Sequence, residues 1–507
     1  MTGTDINAAP LRGDTIARNA GFALAAQIVT ATLTAGLTVF LVRSLSTSAY
    51  GLFALALAVG SLVLQPADLG ISQSTARFIA ERRSSRDAVA GVLADALRLK
   101  LVAGAVISGA LFALAGPIAD AYGETGLAWP IRGIAIAVFA QGLMTLWGTA
   151  FVALQRVSLN LRIVASESLA ETGGTVALVL LGTGATGAAF GRAIGYGCGA
   201  AIAVVLIARL VGRRGLRVLG AGEGNVRRIA GYAGALMIVD GAFTAFAQVD
   251  ALIIGAYLSA ASVGLFQAPY RLTSVLAYPG LALGTAVAPR LSPARGQADV
   301  GALRRSLRYL IVLQAAIVAG VLVWAEPIIA LALGGGHTES AHVLRALAPY
   351  IFAAGFAPVL TLGVNYLGEA RRRVPIAIAT VLINVGIDLL LIPRIGIVGG
   401  AIGTDVAFSL YVAAHLWIAN DMLVIGLRSL VPTVLRSALG AAVAAAVLLA
   451  LGTSDINAGE WVAGAVLAPA AFATAVLATG EFSRAELKTA RGAIGARLGR
   501  RRSGDGG

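Results

Sequence analysis

Charge is what this chain of 507 residues has least of. Asp, Glu, Lys and Arg together make 13% of it, beside 58% hydrophobic residues; soluble domains carry roughly 25% charged residues. That balance excludes a water-soluble globular protein. Cysteine occurs once, at Cys198, so no intrachain disulfide can form and no cysteine cluster can hold a metal. The three histidines, His337, His342 and His415, are scattered and lack metal-ligand spacing. No phosphate-binding loop ending in Gly-Lys-Ser/Thr occurs, so the chain is not expected to hydrolyse ATP. No enzyme site is expected, nor any cofactor or bound metal. Period-two alternation is missing from the apolar segments as well, which excludes a transmembrane barrel.

What the chain does have is apolar runs. About fourteen windows of roughly 20 residues are nearly free of charge, and each is long enough to cross a bilayer core of about 30 Å. They start near residues 17, 50, 101, 128, 160, 187, 229, 262, 306, 342, 374, 397, 432 and 461. Helices are the other way to satisfy every backbone group in lipid, so an all-α polytopic membrane protein is expected. The first run is too long for a cleavable signal, and further spans follow it. Net charge is +14. Of the Lys and Arg, all but Arg43, Arg132, Arg192, Arg271, Arg345 and Arg394 fall in the N-terminus, the even-numbered loops, the tail or the helix ends beside them. This positive-inside pattern predicts both termini in the cytoplasm. The basic residues are expected to touch anionic lipid heads; membrane lipids are therefore partners and nucleic acid is not.

The chain also repeats itself. Leu45 to Phe53 reads LSTSAYGLF and Leu258 to Phe266 reads LSAASVGLF, 213 residues later. Pro117-Ile118 returns as Pro327-Ile328, Ile131-Arg132 as Leu344-Arg345, and Gly187 to Gly191 as Gly399 to Gly403, at offsets of 210, 213 and 212. In a membrane chain such duplication marks a transporter with its working site near the repeat interface. The expected organisation is an N-lobe at 1–214 (helices 1–6), a basic cytoplasmic linker at 215–228 and a C-lobe at 229–425 (helices 7–12). Helices 13 and 14 follow at 426–480, then a basic tail at 481–507. Six helices per lobe make the repeats parallel, related by an axis along the membrane normal. Pro66, Pro269, Pro279, Pro349 and Pro358 interrupt helices and are candidate hinges or static kinks.

The stretch FLVRSLSTSAYGLFALALAVGSLVLQPADLGISQSTARFIAERR (40–83), with its Tyr50-Gly51 and Asp68-Leu69-Gly70, resembles the N-terminal signature of bacterial polysaccharide (O-antigen type) flippases. These belong to the multidrug/oligosaccharidyl-lipid/polysaccharide exporter superfamily. The stretches VDALIIGAYLSAASVGLFQAPYRL (249–272) and NVGIDLLLIPRIGIVGGAIGTDVAF (384–408) extend the resemblance over both lobes. It implies two six-helix lobes in a V around a central cavity, working by alternating access. The implied substrate is a polyprenyl-pyrophosphate-linked oligosaccharide, moved from the cytoplasmic to the periplasmic leaflet for cell-surface or exopolysaccharide assembly. Glycan polymerase and other assembly proteins are partners of the kind it implies. The competing readings are a lipid II flippase or a cation-coupled multidrug exporter of the same superfamily and, outside transport, a membrane scaffold for glycan assembly.

Ionisable groups inside spans are functional candidates because burying them is costly. Arg271 and Asp250 fall at similar depth on adjacent helices: Arg271 either pairs with Asp250 or contacts the pyrophosphate, whose geometry suits a guanidinium fork. Arg132 and Arg345 stand at equivalent repeat positions and either snorkel to the interface or flank the cavity mouth; Arg192 has the same two readings. Asp388 and Asp405 flank one turn at nearly equal distances. They either share a proton or cation or bond polar neighbours such as Asn384 and Thr404. Their counterparts in the first lobe read as Val176 and Ala193. Glu167 and Glu171 share a face of helix 5, Glu171 being the deeper. Asp240 and Asp68 complete the candidates for ion coupling.

Overall fold

The computed structural model describes residues 16–68, 70–82, 85–221, 234–273, 276, 278–291, 298–334, 338–483 and 486, without the side chains of 16, 17, 20, 86, 211–240 and 370. Residues 222–228 of the expected 215–228 linker, His337, the Asp240 side chain and most of the 481–507 tail lie outside that description, and 215–221 continue α7. Among the described residues there are 18 α-helices and no strand. The first seven are α1 (Ile16–Ser44), α2 (Thr47–Asp68), α3 (Ile71–Arg82), α4 (Arg86–Ala121), α5 (Ala128–Ala153), α6 (Val157–Leu180) and α7 (Gly184–Ala221). Then come α8 (Gly234–Tyr257), α9 (Ala260–Thr273), α10 (Tyr278–Val287), α11 (Val300–Leu333), α12 (Thr338–Ala346), α13 (Ala348–Ala354) and α14 (Ala357–Tyr366). The last four are α15 (Arg373–Ile395), α16 (Ile397–Leu423), α17 (Val431–Leu451) and α18 (Ala458–Ala478). Among the described residues thirteen helical stretches are long and apolar enough to cross a membrane, and Gly241–Tyr257 within α8 is a shorter apolar helix beside them. The expected all-α polytopic protein of about fourteen spans is what the chain forms.

Local chemistry sets the helix ends. Ser85 caps α4 by accepting from the Ala88 N–H at 3.3 Å. Asn457 and Glu460 open α18 with a reciprocal capping box, at 3.0 and 2.7 Å. Pro349 and Pro358 occupy the first turns of α13 and α14, where a missing N–H costs no helical bond. They divide the tenth span into short pieces. In α11 the helix departs from helical geometry at Trp324, three residues before Pro327, a proline kink.

The chain divides into two compact units. The first holds residues up to Val275 with 332–343 and 371–407; the second holds 276–331, 344–370 and the chain from Phe408 on. Within the first, α2 packs on α5, α8 and α9, α6 on α1 and α7, and α8 on α15. The two copies of the repeated motif meet here. A Cβ on Gly51 would overlap the Ala260 carbonyl, and one on Gly264 would overlap the Thr47 carbonyl. Thr47 and Ala260 are 213 residues apart, as are Gly51 and Gly264, so each glycine receives the start of the other copy's helix. Small residues at this spacing let backbones approach closely in lipid.

The second unit has an apolar core around α10, α11, α14 and α16 that includes Leu303, Leu310 and Val359, with Leu291 just after α10 and Ile425 just after α16. A second cluster joins α11 to α17 and α18 through Trp324, Leu448 and Phe472. The Trp324 indole donates to the Gly452 carbonyl at 3.0 Å. Beyond α18 the buried Glu481 carboxylate accepts from Arg308 (2.5 Å), Thr433 (2.7 Å) and Arg436 (3.1 Å). Burial works to raise the Glu481 carboxyl, but these donors outweigh it and hold the group below the usual carboxylate range.

Candidate functional site

Three helices of the first unit bring oxygen-bearing side chains to one depth. Asp250, Asp388 and Thr404 each lie seven residues from the nearer end of α8, α15 and α16 respectively, which is about 10 Å into the helix at 1.5 Å per residue. Asn384 is one turn from Asp388 on α15. All four are buried, at 1% exposure or less. Asn384 Nδ2 donates to Asp250 Oδ1 at 3.0 Å and to Asp388 Oδ2 at 3.2 Å. Thr404 Oγ1 donates to Asp250 Oδ2 at 2.5 Å. Asn384 thus bridges the two carboxylates of Asp250 and Asp388. Two carboxylates bridged by one amide in a buried site repel each other when both are ionised, so the arrangement favours a proton or a cation on the pair. Two acceptors, Asn384 Oδ1 and Asp388 Oδ1, are buried with no hydrogen-bond partner. Carboxylate, amide and hydroxyl oxygens are hard donors, suited to a proton or a hard metal cation and not to a soft metal. Gly403 makes room for the site: a Cβ there would overlap Asp388 Oδ1.

A second cluster lies between α6 and α7. Arg192 Nη1 donates to Glu171 Oε1 at 2.6 Å and Nη2 to the Tyr196 hydroxyl at 2.9 Å. The guanidinium also lies 5.0 Å from the Tyr196 ring centroid, a cation–π distance. Glu167, one turn before Glu171 on α6, accepts from Ser168 at 2.9 Å. The helices approach closely because Gly191 and Gly195 face Thr175 and Glu171. Glu167 is buried in this cluster and is not a surface group.

The remaining candidates are dispersed. Arg271, in the last turn of α9, is near enough to act electrostatically on the buried Tyr50 hydroxyl. Asp405 is buried on α16, but the carboxylate that meets Asp388 is Asp250. Arg132 stacks over Trp129 and Phe112 at 4.7 and 5.7 Å. Arg345 pairs with Glu326 at 3.1 Å and donates to the Leu322 carbonyl at 3.3 Å. Asp68 pairs with Lys100 and accepts from Ser72 at 2.5 Å. Lys100, with its side chain 2% exposed, was invisible to sequence reasoning, because it stands at the edge of an apolar window where lysines ordinarily snorkel. Among the described residues no group of three or more His, Cys, Asp or Glu gathers as a metal site.

The second unit contains an apolar cavity of about 840 Å³. Leu307 and Ile311 of α11, Phe352 and Phe356 near α13, Leu416 of α16 and Val434 of α17 line it, with Arg345 as its charged member.

A profile of the family described as polysaccharide biosynthesis protein matches residues 16–294. The chain belongs to that family. A second profile, for the lipid II flippase MurJ, matches residues 276–472. The probable low-salt glycan biosynthesis flippase Agl15 of Haloferax volcanii is 22% identical over 174 residues, which is 34% of this chain and 37% of that protein. The match thus spans well under half of the relative's length. Among solved structures, the lipid II flippase MurJ in an inward closed conformation superposes with a TM-score of 0.71 at 12% identity, over 90% of this chain and 97% of that one. An inward-facing multidrug resistance MATE family transporter of the MOP superfamily gives 0.59 at 15% identity, over 78% and 95%. At such identities these likenesses establish the fold: this polysaccharide biosynthesis family member is a multi-pass protein built like MOP-superfamily transporters.

Proposed function

We propose that the protein is a flippase that carries a polyprenyl-pyrophosphate-linked oligosaccharide from the cytoplasmic to the periplasmic leaflet. Its two six-helix repeats, 1–214 and 229–425, alternate access to the substrate, and both termini lie in the cytoplasm of an inner membrane. A proton or monovalent cation held by Asp250, Asn384, Asp388 and Thr404 drives the cycle. The observation that carries this reading is that oxygen cluster, buried inside the duplicated helical fold of a polysaccharide biosynthesis family member. Paired carboxylates inside a membrane are costly unless they hold something, and a glycan-assembly scaffold has no use for a cation. The apolar cavity of the second unit suits a hydrocarbon tail, since almost every lining side chain is aliphatic or aromatic.

Conditional depletion tests the proposal. Polyprenyl-linked intermediates are measured by mass spectrometry and assigned to a leaflet with a membrane-impermeant sugar-modifying reagent. Build-up on the cytoplasmic side supports the flippase and names its glycan. Unchanged pools, with no compensating flippase present, sink it and favour a multidrug exporter.

A further inference from the structure

Arg132 and Arg345 occupy the same place in the two repeats but use their donors differently. Arg345 donates from Nε to the Leu322 carbonyl at 3.3 Å and pairs through Nη1 with Glu326 at 3.1 Å. Leu322 and Glu326 are one turn apart on α11, so they share a face. At the offset of 210 that carries Pro117 onto Pro327, their counterparts on α4 are Phe112 and Gly116. Arg132 stands against that face of α4, with its guanidinium over Phe112 and, on its own helix, over Trp129. Neither donor that Arg345 uses is used here. Arg132 Nε is buried with no hydrogen-bond partner, and Gly116 stands where the second repeat has its carboxylate. A Cβ on Gly116 would meet no atom within 4 Å, so the space beside the guanidinium is open. The acids nearest in sequence do not fill it. Glu124 accepts from the Ala260 N–H at 2.9 Å, and among the described residues neither Glu124 nor Asp120 forms an ion pair.

We infer that Phe112, Gly116, Trp129 and Arg132 form a binding site for the phosphate of a lipid headgroup, which takes the place that the Glu326 carboxylate takes in the second repeat. The guanidinium fork matches two oxygens of one phosphate. The two rings hold the cation by its face and leave its edge for the anion. A snorkelling arginine puts its whole head in water, whereas here Nε is buried between aromatic groups. Arg132 and Gly116 lie four and five residues from the ends of α5 and α4 that face each other across 122–127. That is about 6 to 8 Å into the helices, the level at which aromatic belts meet lipid headgroups. One turn deeper, Ile136 on α5 and Phe112 on α4 are exposed, which gives the hydrocarbon below the phosphate an apolar surface. The ligand is therefore a lipid and not a free anion. Its phosphate belongs either to a membrane phospholipid or to the diphosphate of a carried lipid; only the second of these rests on the flippase reading.

The full-length protein in uncharged detergent is titrated with phosphatidylglycerol, farnesyl diphosphate and dioleoylglycerol, and bound lipid is counted by native mass spectrometry. Arg132→Gln is expected to weaken binding of the first phosphate-bearing lipid by about tenfold. Gly116→Glu rebuilds the pairing of the second repeat without touching Arg132, and it is expected to lose about the same factor. Its side chain enters open space, so it is expected to fold, which thermal unfolding checks. Arg345→Gln is expected to leave the binding unchanged, because that guanidinium is already paired. Equal affinity of wild type, Arg132→Gln and Gly116→Glu for both phosphate lipids overturns the site. So does an equal loss in Arg345→Gln, which is a general effect of charge, and so does Arg132-dependent binding of dioleoylglycerol, which has no phosphate. A folded Gly116→Glu that binds like wild type overturns the placement beside Gly116. With the site upheld, displacement of phosphatidylglycerol by farnesyl diphosphate identifies the ligand as a prenyl diphosphate, and no displacement identifies it as a membrane phospholipid. Unchanged lipid-linked pools on depletion sink the flippase and leave an Arg132-dependent phosphate site standing.

Discussion

The α6–α7 and α15–α16 crossings are one structure built twice with different chemistry. In the first repeat Gly191 lies against Thr175; in the second Gly403 lies against Asp388. Superposing these close approaches makes Thr175 the counterpart of Asp388, Glu171 of Asn384, and Arg192 of Thr404. Asp250, at the motif offset of 213, corresponds to Leu37. The second repeat therefore presents two carboxylates, an amide and a hydroxyl, with two buried oxygens left over. The first repeat has a guanidinium fixed by a covalent bond where the second has only oxygens. One half carries its cation permanently, in the ion pair of Arg192 with Glu171; under the proposed function the other holds a proton or a recruited cation.

The largest effect that would break this contrast is at Asp388. Asp388→Asn removes one of the two charges on which a recruited cation depends. One charged hydrogen-bonding ligand is worth about 3 kcal/mol, roughly a hundredfold in affinity. Reconstituted protein is expected to lose cation- or proton-driven flipping of a labelled polyprenyl-linked sugar by about that factor. Thr175→Asn, at the matching position of the first repeat, is expected to change the driving-ion dependence little. If both substitutions abolish it equally, the two sites are not functionally distinct.

Next are the glycines that let each crossing close. Gly403→Ala and Gly191→Ala both force a methyl onto a neighbouring helix, overpacking that costs about 1–3 kcal/mol each. Both are expected to lower the unfolding temperature in detergent by similar amounts. Only Gly403→Ala is expected to abolish stabilisation by added cation as well, because its methyl meets Asp388 Oδ1. A shared loss of cation response would erase the asymmetry between the repeats.

Much of this was legible in the sequence, for physical reasons. Twenty-residue apolar windows can do little but span a bilayer as helices, so the all-α fold and the number of spans followed from composition. The LSTSAYGLF and LSAASVGLF copies announced a duplication. That the two copies pack on each other is a tertiary fact, invisible until Gly51 is seen against Ala260. Asp388 was identifiable as a buried carboxylate, but its partner was not. Equal depth favoured Asp405, whereas the azimuth of α8 brings Asp250 instead. The counterpart of Asp388 reads as Val176 at a uniform offset of 212. The helices show it to be Thr175, because the repeats slip by one residue between α6 and α7. Lys100 and the Glu481 cluster gave no signal: single charges at span edges look like topology markers until their burial is known.

Glu481 sharpens the comparison from outside the membrane spans. It too is a buried carboxylate with arginine partners, but it neither shares a proton nor leaves acceptors unmet. Its folded-state pKa is depressed by Arg308, Thr433 and Arg436 against the opposing effect of burial. The stability it contributes is thus present above the ordinary carboxylate range and is lost as pH falls through its lowered folded value. Glu481→Gln is expected to cost on the order of 2 kcal/mol near neutral pH. It should flatten the acid limb of a thermal-stability profile while leaving the cation response of the Asp250 site intact. A loss of that response would mean that the membrane clusters are not self-contained.

The smallest effect is the most discriminating. The Thr175 hydroxyl is buried without a hydrogen-bond partner, so Thr175→Val replaces an unsatisfied donor by a methyl of nearly the same volume. An unmade buried hydrogen bond is unfavourable by about 1–3 kcal/mol, and the substitution is expected to be neutral or stabilising by up to about 1 kcal/mol. If Thr175 has been left in place of a carboxylate only to fill the crossing, the valine variant should flip substrate at the wild-type rate. If the valine variant instead loses transport, then Thr175 is in use, one turn from the Glu171 that pairs with Arg192. Measuring stability and flipping on the same sample separates these two: a more stable protein with unchanged transport fixes Thr175 as packing, and a more stable protein with impaired transport makes it part of a working α6–α7 cluster.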